Sequence, residues 1–368
     1  MNENKVYTVI GLMAGTSTDG IDAALMRTDG LDFVENISFL TKPYSDELRQ
    51  SIKQQFGKSE IDEEVERVAQ DLTRAHADVV RDLIGQLDVE QIDVIGFHGQ
   101  TISHDPDHGH TLQIGDAELL AKLTGCDVVH DFRTADVKAG GQGAPLLPLY
   151  HHAIAKEHKL ETPCAFLNIG GVSNVTYIGR HENDVLAFDC GPGNALIDDA
   201  MLEHFDAPYD DCGARARKGE VNQDALASLL AHPYFQKAPP KSLDRDAWGL
   251  TEIKKLSPQD QLATLTEFTV QAIIRSLDHV KNIPVKWYVC GGGRHNTFIM
   301  ERLNECLDGP VVSTDVLGVD GDTLEAEGFA YLAVRSLKGL PLSLPTTTGV
   351  AAPQTGGQLK KLVGEGVI

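Results

Sequence analysis

The chain lacks the features that mark secreted and membrane-spanning proteins. It has six cysteines in 368 residues, and none of them forms a CxxC pair, so neither a disulfide framework nor a zinc ribbon is indicated. No basic stretch followed by an apolar run opens the sequence, and no run has the length of a membrane helix. We therefore expect reduced cysteines in a cytoplasmic protein without a membrane partner.

Basic residues are also scarce. The 32 Lys and Arg are outnumbered by 54 Asp and Glu, which gives a formal net charge of −22. Because such a field repels phosphate backbones, we expect no nucleic-acid partner. Any nucleotide must then be held by local dipoles, a metal ion or a few cationic side chains. Hydrophobic residues make up 42% of the chain, enough for sizeable cores, and its length favours two domains.

Two segments repeat one pattern, in which a glycine turn separates two apolar runs. The first is Val9–Met26, and the second is 164–178 with the turn Gly170-Gly171. Alternating helical and apolar patterns follow each of them, which predicts two α/β halves that both begin with a β-hairpin. This duplication of architecture favours two α/β domains with a cleft between them.

The turn of the first segment has the composition of a phosphate-binding hairpin tip. Gly15 and Gly20 allow backbone N–H groups to approach an anion closely. Thr16, Ser17 and Asp19 add hydroxyls and a carboxylate, the groups that suit phosphate and Mg²⁺. An ordinary tight hairpin would have the same residues, so this segment alone leaves both interpretations open.

Several familiar nucleotide and metal motifs are excluded. Gly57-Lys58-Ser59 resembles the end of a P-loop, but Ile52 stands where the upstream glycine is required. Gly141-Gln142-Gly143 and Gly191-Pro192-Gly193 lack the third glycine of a dinucleotide fingerprint. The histidines of His104–His110 have no helical spacing, which favours a polar loop over a metal site.

Three glycine turns remain, at 15–22, 168–174 and 291–293. Their order resembles the sugar kinase/Hsp70/actin superfamily, in which two hairpin tips grip the nucleotide phosphates and a Gly-Gly turn holds the adenosine. The resemblance implies an α/β, two-domain actin-like ATPase fold with ribonuclease H-like domains around a central cleft. It implies a first domain of residues 1–133 plus about 344–368 and a second domain of residues 134–343, with a hinge near Gly140–Ala144.

Longer strings are more specific. These are Gly15–Asp22, Gly96–Ile102, Asp131–Arg133, Ala139–Pro145, Leu167–Asn174, Phe188–Asn194 and Glu325-Ala326. Together they resemble the anhydro-N-acetylmuramic acid kinase family from Val9 to about Pro341. Ala14, Thr18 and Cys190 stand where that family usually has Ser, Leu and Thr, and none of these departures removes an expected acid or base.

The family resemblance implies an ATP-dependent kinase of peptidoglycan recycling and amino-sugar catabolism. Such an enzyme opens the 1,6-anhydro ring of its sugar with water and phosphorylates O6, giving N-acetylmuramic acid 6-phosphate and ADP. ATP and Mg²⁺ are the implied cofactors, the sugar is the small-molecule partner, and a homodimer is left open. Two alternatives are an amino-sugar kinase of the same superfamily that acts on a free hydroxyl, and a non-enzymatic actin-like ATPase.

By resemblance, Asp189 is the base that activates water and Glu325 assists proton movement at O6. The competing interpretations are a helix N-cap for Asp189 and a dipole-compensating surface acid for Glu325. His98 and Gln100 are expected to bind sugar hydroxyls. The guanidinium of Arg133 suits the lactyl carboxylate of muramic acid, although a structural ion pair with Asp131 would explain it equally well.

The residues expected at ATP share the three glycine turns. They are Gly15, Thr16, Ser17, Thr18, Asp19, Gly20, Ile21, Asp22, Asn168, Gly170, Gly171, Asn174, Gly291, Gly292, Gly293 and Asn296. Asp19 is the expected Mg²⁺ carboxylate, through water because Mg²⁺ keeps much of its hydration shell. Asp22 is a second candidate.

Overall fold

The structure is a computed structural model that describes residues 5–87, 91–180, 184–243 and 247–362. The chain divides into two compact units, Met1–His158 with Thr323–Ile368 (unit 1) and Lys159–Asp322 (unit 2). These divisions differ from those expected at 133/134 and 343/344. Residues 1–4 and 363–368 of the expected first domain lie outside the described residues.

Twelve strands and ten α-helices occur in the described part of the chain. The strands are β1 (Tyr7–Ala14), β2 (Gly20–Thr28), β3 (Val34–Pro43), β4 (Val94–Asp105), β5 (His110–Ile114), β6 (Val128–His130), β7 (Cys164–Ile169), β8 (Val172–Ile178), β9 (Val185–Pro192), β10 (Lys286–Cys290), β11 (Val311–Ser313) and β12 (Gln358–Lys360). The helices are α1 (Asp46–Lys53), α2 (Glu63–Gly85), α3 (Ala117–Thr124), α4 (Thr134–Lys138), α5 (Pro148–Glu157), α6 (Ala195–Phe205), α7 (Gln223–Leu230), α8 (Pro258–Arg275), α9 (Thr297–Cys306) and α10 (Leu324–Lys338). None of the described helices is long and apolar enough to span a bilayer.

The sheet of unit 1 has the order β12-β6-β4-β1-β2-β3, and β5 pairs with β4. Strands β1, β2 and β3 form the expected antiparallel meander, while β4 is parallel to β1 and β6 is parallel to β4. Helix α10 lies directly against this sheet. A Cβ atom at Gly11 would lie 1.8 Å from the Ala326 carbonyl oxygen, so only glycine permits this approach. The packing explains why α10 belongs to unit 1.

The sheet of unit 2 repeats this arrangement. Its order is β11-β10-β7-β8-β9. Strand β8 is antiparallel to its neighbours β7 and β9, whereas β10 is parallel to its neighbours β7 and β11. When β5 is left aside and the remaining strands are numbered within each unit, the first five have the order 3-2-1-4-5 in both sheets. The α/β class and the duplicated hairpin architecture are therefore confirmed. A separate apolar core fills each unit.

The helices begin where capping residues satisfy their first N–H groups. Asp62 accepts a hydrogen bond from the N–H of Val65 at the start of α2, and Ser257 accepts one from the N–H of Asp260 at the start of α8. Buried residues of α2 recur at helical spacing, so one face packs into the core. Helices α4, α5 and α7 and strands β5, β11 and β12 were not expected from the sequence.

Candidate active site

The first hairpin tip joins β1 to β2 and presents polar groups to solvent. Thr16, Ser17 and Asp19 are exposed, and the Ser17 hydroxyl donates to the Asp19 carboxylate at 2.9 Å. Thr18 is fully buried with a φ of 56°, and its N–H donates to the Gly15 carbonyl at 3.1 Å. A Cβ at Gly20 would lie 2.4 Å from the Lys42 carbonyl, so strand packing alone requires that glycine.

The remaining tip residues lie on β2. The Ile21 side chain is buried in the core, which leaves only its backbone for a ligand. Asp22 is half-buried, and its carboxylate accepts a hydrogen bond from the Thr41 hydroxyl at 2.7 Å. Asp19 is therefore the more accessible carboxylate of the two.

Arg49 of α1 donates hydrogen bonds to two backbone carbonyls of this tip. The sequence did not indicate this contact. The Arg49 Nε donates to the Thr18 carbonyl at 3.0 Å, and its Nη2 donates to the Asp19 carbonyl at 3.3 Å. Left-handed backbone is unusual for a β-branched residue, and these bonds stabilise it at Thr18. No local spacing could have indicated the contact, because Arg49 lies in a different element.

The buried His98 and the half-buried Arg133 form a hydrogen-bonded pair in unit 1. The Arg133 Nε donates to the His98 Nε2 at 2.9 Å, and the other ring nitrogen, Nδ1, lies 2.8 Å from the Gly99 carbonyl. Burial, together with the charge of Arg133, holds the pKa of His98 well below its usual value, so the ring is neutral. The Arg133 Nη1 donates to the Gly143 carbonyl at 2.7 Å.

The structural alternative for Arg133 is wrong among the described residues. Asp131 accepts instead from Gln358 Nε2 at 2.6 Å, and Arg133 makes no ion pair with it. Burial lowers the pKa of Arg133, and the nearby negative charge of Glu325 opposes that effect. Glu325 is half-buried in the first turn of α10. Of the predicted sugar-binding residues, Arg133 therefore lies near the charge of Glu325, and His98 is bonded to Arg133.

A cavity of about 270 Å³ lies beside this pair within unit 1. Its walls come from the middle of β4, from β5 and the residue after it, from the end of β6 and from the segment that follows β6. They comprise Phe97, His98, Gly99, Thr111, Leu112, Gln113, Ile114, Gly115, His130, Asp131 and Thr134. The mixed polar and apolar lining is of the kind that small-molecule sites have.

The Gln100 side chain is hydrogen-bonded to the first tip and not to the His98–Arg133 pair. It is fully buried, and Nε2 donates to the Gly15 carbonyl at 3.0 Å. Its Oε1 atom has no hydrogen-bond partner among the described residues. A buried acceptor without a partner is unfavourable, which makes this atom available to a ligand or a water molecule.

In unit 2 the second hairpin tip and the third glycine turn lie side by side. Strands β7 and β10 are parallel neighbours with Asn168 opposite Cys290, so Gly170-Gly171 and Gly291–Gly293 follow the same end of the sheet. A Cβ at Gly291 would lie 2.2 Å from the Asn168 Oδ1 atom, and Gly291 has a φ of 74°. Both the space and the backbone conformation therefore require glycine there.

Backbone contacts join the second tip to the helix that follows β9. The Asn194 N–H donates to the Gly170 carbonyl at 2.7 Å, and the Gly193 N–H donates to the Gly171 carbonyl at 2.9 Å. Asn174 is paired with Asp189 across β8 and β9. The predicted phosphate and catalytic residues of unit 2 are thus neighbours in one sheet.

Two residues near the third turn have structural partners. Asn296 caps α9, because its Oδ1 accepts from the N–H groups of Phe298 and Ile299. Arg294, which the sequence did not single out, faces Asp315, Asp320 and Asp322, and its Nη2 donates to the Asp322 carboxylate at 2.9 Å. These ion pairs hold the 315–322 segment against the turn.

Asp189 lies inside β9, not at a helix start. The strand continues to Pro192, and the residue at the N-cap of α6 is Asn194, so the N-cap alternative is wrong. Burial raises the pKa of Asp189 to about 7, against the opposing effect of one hydrogen bond from the Leu243 N–H. A base is most effective when its pKa lies near the working pH.

The loop 139–145 lies inside unit 1 and is not the boundary between the units. The Asp136 carboxylate accepts from the Gly143 N–H at 2.6 Å, from the Thr348 hydroxyl at 2.6 Å and from the Ser343 hydroxyl. These bonds also attach the C-terminal segment to unit 1. The hinge expected near Gly140–Ala144 stays a prediction.

Comparison with known proteins gives one family. The family model described as anhydro-N-acetylmuramic acid kinase matches residues 7–361. A relative with this name from Rhodospirillum rubrum is 50% identical over 350 residues, which cover 95% of this chain and 92% of the relative. Another from Gluconobacter oxydans is 48% identical over 360 residues, covering 95% and 98%. Among solved structures, a xylulose kinase from Lactobacillus acidophilus covers 96% of this chain and 93% of that chain, with 12% identity and a TM-score of 0.46.

Proposed function

Because the chain belongs to the anhydro-N-acetylmuramic acid kinase family, we propose that it hydrolyses 1,6-anhydro-N-acetylmuramic acid and phosphorylates the released O6 with ATP. The products are N-acetylmuramic acid 6-phosphate and ADP, which serves peptidoglycan recycling and amino-sugar catabolism. The observation that carries the proposal is the half-buried Asp189 of β9, whose pKa of about 7 suits a base that takes a proton from water near neutral pH.

The reaction joins a glycoside hydrolysis to a phosphoryl transfer. A water oxygen attacks the anomeric carbon C1 while its proton passes to Asp189. The C1–O6 bond breaks, and O6 keeps the electron pair. O6 then attacks the γ-phosphorus, and ADP leaves with the electrons of the broken bond. Glu325 assists proton movement at O6, and its position in the first turn of α10, near Arg133, supports a role at the sugar.

The sugar is bound by His98, Gln100 and Arg133 in this proposal. Arg133 uses only Nε and Nη1 in its bonds to His98 and Gly143, so further guanidinium N–H donors remain for the lactyl carboxylate. The neutral His98 accepts from Arg133 and so holds the guanidinium in place. The unpartnered Oε1 of Gln100 is an acceptor for a sugar hydroxyl.

ATP is bound by the glycine turns and by their hydroxyl and amide side chains. No cluster of three or more His, Cys, Asp or Glu occurs in the described part of the chain. The exposed carboxylate of Asp19 fits Mg²⁺, which is held by one or two carboxylates together with substrate phosphates and water. Asp19 and, secondarily, Asp22 would hold it, and its charge would neutralise the transferred phosphoryl group.

We place this reaction in the cytoplasm, where ATP is available, and the acidic charge supports the absence of a nucleic-acid partner. A homodimer is a further proposal, which sedimentation at several protein concentrations tests.

The substrate is tested by ADP release in a coupled assay. The wild-type protein and Asp189→Asn are compared with the anhydro sugar and with N-acetylglucosamine. We expect turnover with the anhydro sugar only, and its loss in Asp189→Asn with ATP binding retained. Turnover with N-acetylglucosamine alone would favour a kinase for a free hydroxyl. Nucleotide-dependent pelleting without sugar turnover would favour an actin-like ATPase.

A further inference from the structure

Asp189 lies on the edge strand of the unit 2 sheet, yet its outer side is paired. On the inner side it lies opposite Asn174 of β8. On the outer side its N–H donates to the Lys241 carbonyl at 3.0 Å. A segment that is far away in sequence therefore extends the sheet at this one residue.

The same segment holds the side chain of Asp189. The Leu243 N–H donates to Oδ2 at 2.8 Å. No other hydrogen bond reaches this carboxylate from the described residues. The two contacts, one to the backbone and one to the side chain, come from residues two apart, as expected when an extended segment faces a strand. Rotation of the carboxylate about Cβ–Cγ would break the second contact.

Buried groups fix the segment in turn. The Lys241 side chain is only 7% exposed, and its Nζ donates to the Tyr234 carbonyl at 3.3 Å and lies 4.7 Å from the centre of the Tyr234 ring. The Tyr234 hydroxyl donates to the Asp189 carbonyl at 2.6 Å. A closed set of contacts thus links Asp189, Tyr234 and Lys241. A buried ammonium group is retained only where such contacts compensate its desolvation.

We infer that Lys241–Leu243 is a positioning element for Asp189, and that it leaves Oδ1 as the oxygen that takes the proton from water. The inference rests on the proposed role of Asp189 as the base. Because Oδ2 is bound to the Leu243 N–H, its lone pair on that side is occupied. A fixed carboxylate plane keeps Oδ1 in one orientation, which general base catalysis requires.

The titratable groups packed near Asp189 are few. Cys190 follows it on β9, Tyr234 and Lys241 lie on its outer side, and His279 lies 3.4 Å from the Lys241 Nζ. Burial raises the pKa of Cys190 and of Tyr234 far above neutral, and lowers the pKa of Lys241 and of His279. Asp189 is the one of these groups that the proposed reaction uses as a base, so a protonation near pH 7 that limits turnover is assigned to it.

The test removes one N–H group. Leu243→Pro deletes both the N–H and the leucine side chain, and Leu243→Ala deletes most of the side chain but keeps the N–H. A third variant carries leucic acid at position 243, so that an ester oxygen replaces the N–H and the side chain is retained. If Leu243→Pro does not fold, the ester variant still tests the loss of the N–H group. Each variant is measured for the pH dependence of kcat and for ATP binding by calorimetry.

A hydrogen bond to the charged form of an acid lowers its pKa. Loss of this bond therefore moves the acid limb of the pH profile of kcat to higher pH. We expect a rise of about one pH unit, a roughly tenfold loss of kcat below the limb, in the ester and Leu243→Pro variants. Leu243→Ala should keep the wild-type limb, and ATP binding should be unchanged in all three.

An unchanged limb and kcat in the ester variant would overturn the inference. If Asp189→Asn is inactive in that case, the proposed function stands and only the positioning element is refuted. If Asp189→Asn retains turnover, the role of Asp189 itself fails.

Discussion

Replacing Asp189 with Asn should stabilise unit 2 while it abolishes turnover. Burial raises the pKa of Asp189 from an ordinary 3.8 to about 7. The folded protein therefore binds a proton more tightly than the unfolded chain does. The contribution of this group to stability is complete below the unfolded pKa and is lost as the pH rises from about 4 to about 7.

The magnitude follows from the size of the shift. About three pKa units at about 1.36 kcal/mol each correspond to about 4 kcal/mol of lost stability at pH 8, and to about 1.6 kcal/mol at pH 5. Asn cannot ionise, and its side-chain oxygen can still accept from the Leu243 N–H. The advantage of Asp189→Asn should therefore grow by about 2.5 kcal/mol between pH 5 and pH 8.

The assay is urea unfolding of both proteins without ligands at pH 5 and pH 8, followed by the fluorescence of Trp248 and Trp287, the two tryptophans of unit 2. Conversion of Asp224, an exposed acid in the first turn of α7, to Asn is the control. If the free energy of unfolding changes equally with pH in the wild-type and Asp189→Asn proteins, the raised pKa of Asp189 is contradicted. Such a result would mean that Asp189 is hydrated in the folded state.

Three further predictions concern the ATP-binding turns. Arg49→Met should raise the KM for ATP about tenfold and leave the KM for sugar unchanged, because two bonds to the first tip are lost; Arg67→Met, at an exposed ion pair, is the control. Gly291→Ala should weaken ATP binding more than Gly318→Ala in calorimetry. Both positions have a φ near 70°, but only Gly291 lacks space for a Cβ. Asp19→Asn should increase the Mg²⁺ concentration needed for half-maximal turnover severalfold, and equal Mg²⁺ titrations would contradict its role.

Local signals were sufficient for the hairpins. Apolar runs of strand length around Gly15–Asp19 and around Gly170-Gly171 predicted β1–β2 and β7–β8, because turn and strand preferences act over a few residues. The position of Asp189 was harder to predict. Gly191-Pro192 reads as a strand end, yet β9 is an edge strand, where proline is tolerated and pairing continues to Pro192.

Tertiary contacts set the remaining features. The division between the units depends on α10, which returns to the first sheet because Gly11 leaves room for its backbone. Arg49, Leu243 and Arg294 act on the candidate site through contacts with residues that are distant in sequence. A single sequence has no periodicity or spacing that reports such contacts.

The position of the water oxygen in the product shows whether ring hydrolysis is coupled to phosphorylation. The reaction is run in ¹⁸O-water, and the sugar phosphate is analysed at once by mass spectrometry with fragmentation. Preformed N-acetylmuramic acid 6-phosphate in the same water gives the rate of spontaneous exchange. We predict one ¹⁸O atom per turnover at the anomeric hydroxyl and none in the phosphate. Product without label above the exchange control would contradict hydrolysis coupled to phosphorylation.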